Sequence, residues 1–313
     1  MAARGTTRRH SDFARGRAGA ARLVVPLCEE DELMTAVPAS DSVIAPASTP
    51  DTRHDALLEL DGVSVGYDPR VVVADASFSA SPGTVTTIIG PNGSGKSTLL
   101  RAIGGLSRTQ AGVIRIDGVD VAQLGVRALA RRLALLPQSA VAPDGLTVAD
   151  LVSRGRQPHQ RWYRQWTVSD ERATLEAMER MDVATIAKRP LDELSGGQRQ
   201  RAWIAMCLAQ DTSILVLDEP TTHLDMSHAV EILETVRRLA RESGRTILTV
   251  LHDLSLAARY SDRLVVVADG AIQAIGDPVD ILTPELMRDA FHFAARVFPD
   301  PFDGTPTIAP AGL

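Results

Sequence analysis

Gly90-Pro91-Asn92-Gly93-Ser94-Gly95-Lys96-Ser97-Thr98 is the stretch on which the reading of this chain turns. Before it, residues 85–89 (Val-Thr-Thr-Ile-Ile) form an apolar, β-branched run that reads as a buried strand. After it, Leu99-Leu100-Arg101-Ala102-Ile103 has helical character. G-x-x-x-x-G-K-S between a strand and a helix is the pattern of a phosphate-binding loop. Glycines let successive backbone N–H groups converge on an anion, and the helix that opens near Lys96 adds the positive end of its dipole. Lys96 supplies a compact charge for the β and γ phosphates, and Ser97 offers a hydroxyl to Mg²⁺. The bland alternative is a Gly-rich turn with an incidental lysine. Of the 33 Lys and Arg residues, however, only Lys96 and Lys188 are lysine, and one of them stands where phosphate chemistry asks for a point charge rather than a fork.

Downstream, Ile214-Leu215-Val216-Leu217-Asp218-Glu219 reads as an apolar strand ending in two acids. Alternation along the strand predicts that Asp218 and Glu219 project differently. Asp218 then holds Mg²⁺ and Glu219 polarises an attacking water. Between the loop and these acids, Leu194-Ser195-Gly196-Gly197-Gln198 precedes a helical run, and Ser195 is a good N-cap. This makes a second Gly-containing helix start able to meet phosphate.

L-S-G-G-Q ahead of a strand ending in Asp-Glu resembles the signature of the ABC-transporter ATPase family. The resemblance covers nearly all of residues 55–313, and its elements come in the family order. It implies an α/β P-loop NTPase core with an antiparallel β subdomain and an inserted helical subdomain at about residues 139–200. It also implies ATP and Mg²⁺ as ligands. Residues 90–98 with Tyr67, stacked on adenine, would bind ATP. Gln138, after Leu133-Ala134-Leu135-Leu136-Pro137, would sense Mg²⁺ and the γ-phosphate beside Ser97 and Asp218. Glu219, His252, Gln138 and Lys96 would carry hydrolysis, and Ser195, Gly196, Gly197 and Gln198 would face the ATP of a partner chain. Asp225, in Thr222-His223-Leu224-Asp225, would lie in the interface loop. By themselves Tyr67 also reads as a turn-flanking aromatic, Gln138 as a loop polar residue and His252 as a strand-end histidine.

Composition agrees with a folded ATPase. With 44% hydrophobic residues, 39 acids against 33 bases and a net charge of −6, the chain has ordinary globular character and no basic footprint for nucleic acid. Apolar runs such as residues 214–217 and 264–268 are far shorter than the roughly 18 residues of a membrane-spanning helix. Two cysteines, Cys28 and Cys207, permit no disulfide framework. Residues 1–54 lack hydrophobic periodicity and read as a disordered extension, with synthesis expected to start at Met34.

A single motif set in a chain without a membrane segment implies, through the resemblance, a second copy of the ATPase, a separate integral membrane permease and, indirectly, a substrate-binding protein. The expected location is the cytoplasmic face of the cell membrane, as a peripheral subunit. Gly155-Arg156-Gln157-Pro158-His159, Pro220-Thr221-Thr222-His223-Leu224-Asp225 with His228, and the ending from Asp300-Pro301 to Gly304-Thr305-Pro306 resemble the branch that serves ferric-siderophore, haem and cobalamin importers. A ferric siderophore is the expected cargo. Cobalamin, haem, or a soluble ABC ATPase without a permease are the alternatives. The cluster Arg161-Trp162-Tyr163-Arg164-Gln165-Trp166 reads either as a loop or as a permease contact. His159, His223 and His228 match no compact zinc spacing and read as structural.

Overall fold

The structure is a computed structural model describing residues 57–160 and 166–311. The expectations for residues 1–54, for a start at Met34 and for most of the Arg161 to Trp166 cluster lie outside the described residues.

The chain begins β1 (Leu58–Tyr67), β2 (Arg70–Ala80), β3 (Val85–Ile89), α1 (Lys96–Ile103), β4 (Ala111–Ile116), β5 (Val119–Asp120), α2 (Val126–Leu129) and β6 (Leu133–Leu136). Helices α3 (Val148–Arg154), α4 (Val168–Arg180) and α5 (Gly196–Ala209) follow, then β7 (Ile214–Asp218), α6 (Met226–Ser243), β8 (Thr246–Val250), α7 (Leu254–Tyr260) and β9 (Arg263–Ala268). The last elements are β10 (Ala271–Gly276), α8 (Pro278–Ile281), α9 (Pro284–Asp289), β11 (Ala295–Pro299) and β12 (Pro306–Pro310).

Three sheets result, ordered β2-β1-β4-β5, β10-β9-β3-β8-β7-β6 and β11-β12. The first is antiparallel, and in the second all strands but the edge strand β10 run parallel. Parallel strands need cover on both faces, and the alternation in β7 supplies it. Ile214 and Val216 pack with α1 and the antiparallel sheet, while Leu215 and Leu217 pack with α3, α5 and α6. Every residue of β3, β7 and β8 is buried. The consequence for function is geometric. The residues that follow the C-terminal ends of the neighbouring strands β3, β8, β7 and β6 converge on one edge, where open α/β sheets hold ligands.

Helices α3, α4 and α5 form the inserted helical layer. Thr147 and Thr167 each make a reciprocal capping box, with Asp150 and Asp170 respectively, which fixes where α3 and α4 start. The Gly155 to His159 segment ties the end of α3 to α4, to the end of α5 and to the α2 region. Arg156 donates to Asp170 Oδ1 at 3.0 Å and to the Ala209 carbonyl at 2.8 Å, His159 Nε2 meets the Gln210 carbonyl at 2.7 Å, and Arg127 and Arg131 both donate to the Pro158 carbonyl. A Cβ on Gly155 would lie 2.2 Å from the Met206 carbonyl oxygen, so only glycine lets α3 approach α5 this closely. Burial works to raise the Asp170 carboxyl, but hydrogen bonds from Thr167 and Arg156 outweigh it and hold Asp170 below the usual carboxylate range.

Both Arg156 and Asp170 are buried. Removing one partner would leave a buried charge unpaired, so Arg156→Ala is expected to cost about 3–5 kcal/mol of stability. Urea denaturation followed by circular dichroism reads this directly. A loss under about 1 kcal/mol would mean that Asp170 finds another partner or water.

Candidate functional site

Gly90 leaves β3 at φ +153°, Gly93 adopts φ +77° and Gly95 φ +99°. A Cβ on Gly90 would meet the Val267 carbonyl oxygen at 1.9 Å, and one on Gly95 the Val73 Cγ2 at 2.3 Å. The loop is therefore pressed between β9 and β2, and its backbone lines a cradle that side chains would fill. Helix α1 starts at Lys96 behind Gly95, without a side-chain cap, which leaves its first-turn N–H groups for an anion. Among the described residues Ser94 Oγ is buried without a hydrogen-bond partner, a further donor suited to a phosphate oxygen.

Lys96 is buried and donates from Nζ to the Gly90 and Pro91 carbonyls at 2.9 and 2.8 Å. Burial draws its ammonium below the usual lysine range, while the Glu219 and Asp218 carboxylates pull the other way. Ser97 Oγ lies 3.3 Å from Asp218 Oδ1. Asp218 is pushed up to about 6, first by burial and then by Glu219, against the pull of Ser97, Lys96 and His252. Two hard oxygens meeting beside a carboxylate short of positive charge fit a Mg²⁺ ion.

The two acids diverge for a different reason than strand alternation. Strand β7 ends at Asp218, and Glu219 has turned into the left-handed region at φ +53°. That turn aims Glu219 into a ring of donors. Gln138 Nε2 is 2.7 Å and Thr222 Oγ1 3.0 Å from Oε2, and His252 Nε2 is 2.5 Å from Oε1. Gln138 follows β6 and His252 follows β8, so parallel pairing on either side of β7 delivers both to one carboxylate. From sequence Thr222 reads as part of the loop that follows the two acids, without a role at Glu219. Its spacing of three residues from Glu219, the reach of a local turn, was the available signal.

Ser195 caps α5, accepting from Gln198 N at 3.3 Å while Gln198 Oε1 accepts from Ser195 N at 3.3 Å. Asp225 caps α6. Gly196 and Gly197 pack closely against Leu224, His223 and His228, so this turn sits on the 223–228 segment. Tyr67 ends β1 and is exposed, on the sheet whose β2 crosses the loop at Val72 and Val73. Among the described residues, no group of three or more His, Cys, Asp or Glu is arranged to hold a metal, and no helix is long and apolar enough to cross a membrane.

In metal-free protein Asp218 has a testable pH signature. Its folded value of about 6 lies above the 3.8 of a free aspartate, so the fold favours the protonated form. That contribution is full below about pH 4 and is lost as pH rises through about 6, up to about 3 kcal/mol in all. Asp218→Asn is expected to flatten this slope in urea titrations between pH 4.5 and 7.5. An unchanged slope would locate the proton elsewhere.

A family profile described as "ABC transporter" matches residues 73–222. The "Probable siderophore transport system ATP-binding protein YusV" of Bacillus subtilis is 45% identical over 250 residues, which is 80% of this chain and 91% of that protein. The "Cobalamin import ATP-binding protein BtuD" of Halobacterium salinarum is 42% identical over 81% of this chain and 63% of that protein. A solved dimeric ATP-binding cassette in a post-hydrolysis state, bound to ADP and phosphate, superposes with a TM-score of 0.62 at 26% identity, covering 70% of this chain and 98% of its own.

Proposed function

Because the chain belongs to the ABC transporter ATPase family, we propose that it is the ATP-hydrolysing subunit of an importer that takes up a ferric siderophore through a separate membrane permease. The carrying observation is the ring around Glu219, which gathers a buried carboxylate, Gln138, Thr222 and His252 beside the loop of residues 90–98.

In this reading ATP lies along the loop, with its adenine against Tyr67 and its phosphates over the first turn of α1. Lys96 exchanges the Gly90 and Pro91 carbonyls for β and γ phosphate oxygens. Ser97, Asp218 and Gln138 would hold Mg²⁺, which when bound would supply positive charge to the phosphate oxygens. Glu219 orients a water and accepts its proton, and His252 moves from Glu219 to the γ-phosphate. Residues Ser195 to Gln198 and Asp225 complete the site of a second copy, whose own signature completes this one. Two helix N-termini then clamp each triphosphate, and loss of the γ-phosphate opens the pair. The permease takes up this motion through the helical layer at residues 139–200, with a substrate-binding protein delivering cargo on the far side.

Residues 55–313 act as this one ATPase unit, and its expected location is the cytoplasmic face of the cell membrane. The slightly higher identity to the siderophore-system relative, 45% against 42% for the cobalamin relative, favours the iron chelate as cargo. Cobalamin remains the second reading, at 42% identity. Co-purification with the permease, followed by uptake assays with ferric hydroxamates, ferric catecholates, haem and cobalamin, decides between them. ATP-dependent uptake of a ferric siderophore supports the proposal. Uptake of cobalamin or haem alone would overturn the cargo, and the absence of any membrane partner would overturn the transporter.

A further inference from the structure

His228 stands in the first turn of α6 and makes two contacts that join separate pieces of the proposed site. Its Nδ1 lies 2.7 Å from Asp225 Oδ1, and the same oxygen takes the His228 backbone N–H at 2.9 Å and the Ser227 hydroxyl at 2.9 Å. An ionised carboxylate only accepts, so Nδ1 carries the proton. The other face of the contact is the signature turn. A Cβ on Gly197 would lie 2.8 Å from His228 Cδ2 and 3.1 Å from Cγ, so the flat ring is laid against the bare Cα of that glycine. Gly196 packs beside it, its virtual Cβ 3.6 Å from Leu224 Cδ2. One turn further along, Arg201 of α5 pairs with Glu231 of α6. The start of α5 is thereby clamped to the start of α6, at the ring of His228 and at an ion pair.

We propose that His228 is a positioning residue that locks the Ser195 to Gln198 turn to the Asp225 loop, so that both present themselves to the partner copy's nucleotide as one piece. The proposal rests on the reading that these two segments face a second ATPase chain. His228 touches no reacting atom in that arrangement. It acts through Asp225 on one side and Gly197 on the other, and its loss would leave the chain's own loop of residues 90–98 intact. Asparagine preserves the essential chemistry: its side-chain N–H sits near the Nδ1 position and donates to the same carboxylate, although it covers less of Gly197.

The test uses the full chain in a Glu219→Gln background, in which ATP should hold the dimer closed. His228→Ala is expected to leave the affinity of the monomer for a fluorescent ATP analogue within about twofold of the parent, while weakening ATP-dependent dimerisation about tenfold or more, the scale of a lost hydrogen bond to a charged group. In the wild-type background the same substitution lowers kcat and leaves the monomer's nucleotide affinity in place. His228→Asn restores most of both. Parent-like dimerisation and kcat in His228→Ala would overturn the proposal. A loss that asparagine does not restore and that tracks a fall in Tm would also overturn it, because His228 would then be packing alone. If the Glu219→Gln parent itself fails to dimerise with ATP, the two-chain reading falls and the proposal with it. If the parent dimerises and His228→Ala does so equally, only the proposal falls.

Discussion

Glu219→Gln is expected to bind ATP with near wild-type affinity and to release phosphate about a thousandfold more slowly, the scale of a lost general base. The substitution keeps the shape of the side chain. Gln138 Nε2 and Thr222 Oγ1 both donate to Oε2, a role that the amide oxygen of glutamine can keep. The amide nitrogen then falls where Oε1 meets His252 Nε2 at 2.5 Å, and a histidine protonated on Nδ1 accepts from it there. The ring of contacts therefore survives while the proton acceptor is gone. Nucleotide should accumulate unhydrolysed, and the closed pair should be visible by size-exclusion chromatography with ATP but not with ADP. Phosphate release within about threefold of wild type would remove Glu219 from the role of base.

The positive φ of Glu219 sharpens this expectation. A non-glycine residue at φ +53° is held there by its surroundings, and the backbone turn is what lifts the carboxylate away from Asp218 and into the donors. Strand alternation, which the sequence suggests as the cause of the two acids' divergence, does not apply, because alternation holds only while the strand continues and β7 stops at Asp218. What was legible was local. The loop of residues 90–98, the strands that buried apolar runs predict, and the Ser195 cap are each specified by residues within one turn of one another, so motif and periodicity sufficed. What was not legible depends on partners distant in the chain. Arg156 and Asp170 are 14 residues apart and nothing in the spacing announces their pairing, while Gln138 and Glu219, 81 apart, come to one site through the family resemblance and not through their spacing. The Gly155 to His159 wording resembles that of the ferric-siderophore, haem and cobalamin branch. Its contacts tie the end of α3 to α4, to the end of α5 and to the α2 region, so the same residues also hold the helical layer in place.

Lys96→Ala is expected to weaken ATP binding by about two orders of magnitude or more, as truncation of a buried, hydrogen-bonded charge costs about 2–5 kcal/mol. The lysine is not waiting idle. It spends its donors on the Gly90 and Pro91 carbonyls at 2.9 and 2.8 Å, and it offsets the two buried acids Asp218 and Glu219. Alanine removes both services. The carbonyls lose their donor and turn the loop electronegative, the opposite of what a triphosphate needs. Asp218, already pushed up to about 6, loses one of the charges that restrain it and rises further. A second readout follows from the sign of that change. A higher folded value extends the range over which stability falls with rising pH, so Lys96→Ala should be destabilised more at pH 8 than at pH 5 relative to wild type. Arginine should not rescue binding, because its planar fork cannot bend back between two carbonyls 5 and 6 residues upstream and then swing to the phosphates as a point charge does. Isothermal titration with ATP and paired urea melts at the two pH values test both halves. Undiminished affinity would remove Lys96 from the phosphate site, and a pH-independent stability loss would break its electrostatic link to Asp218.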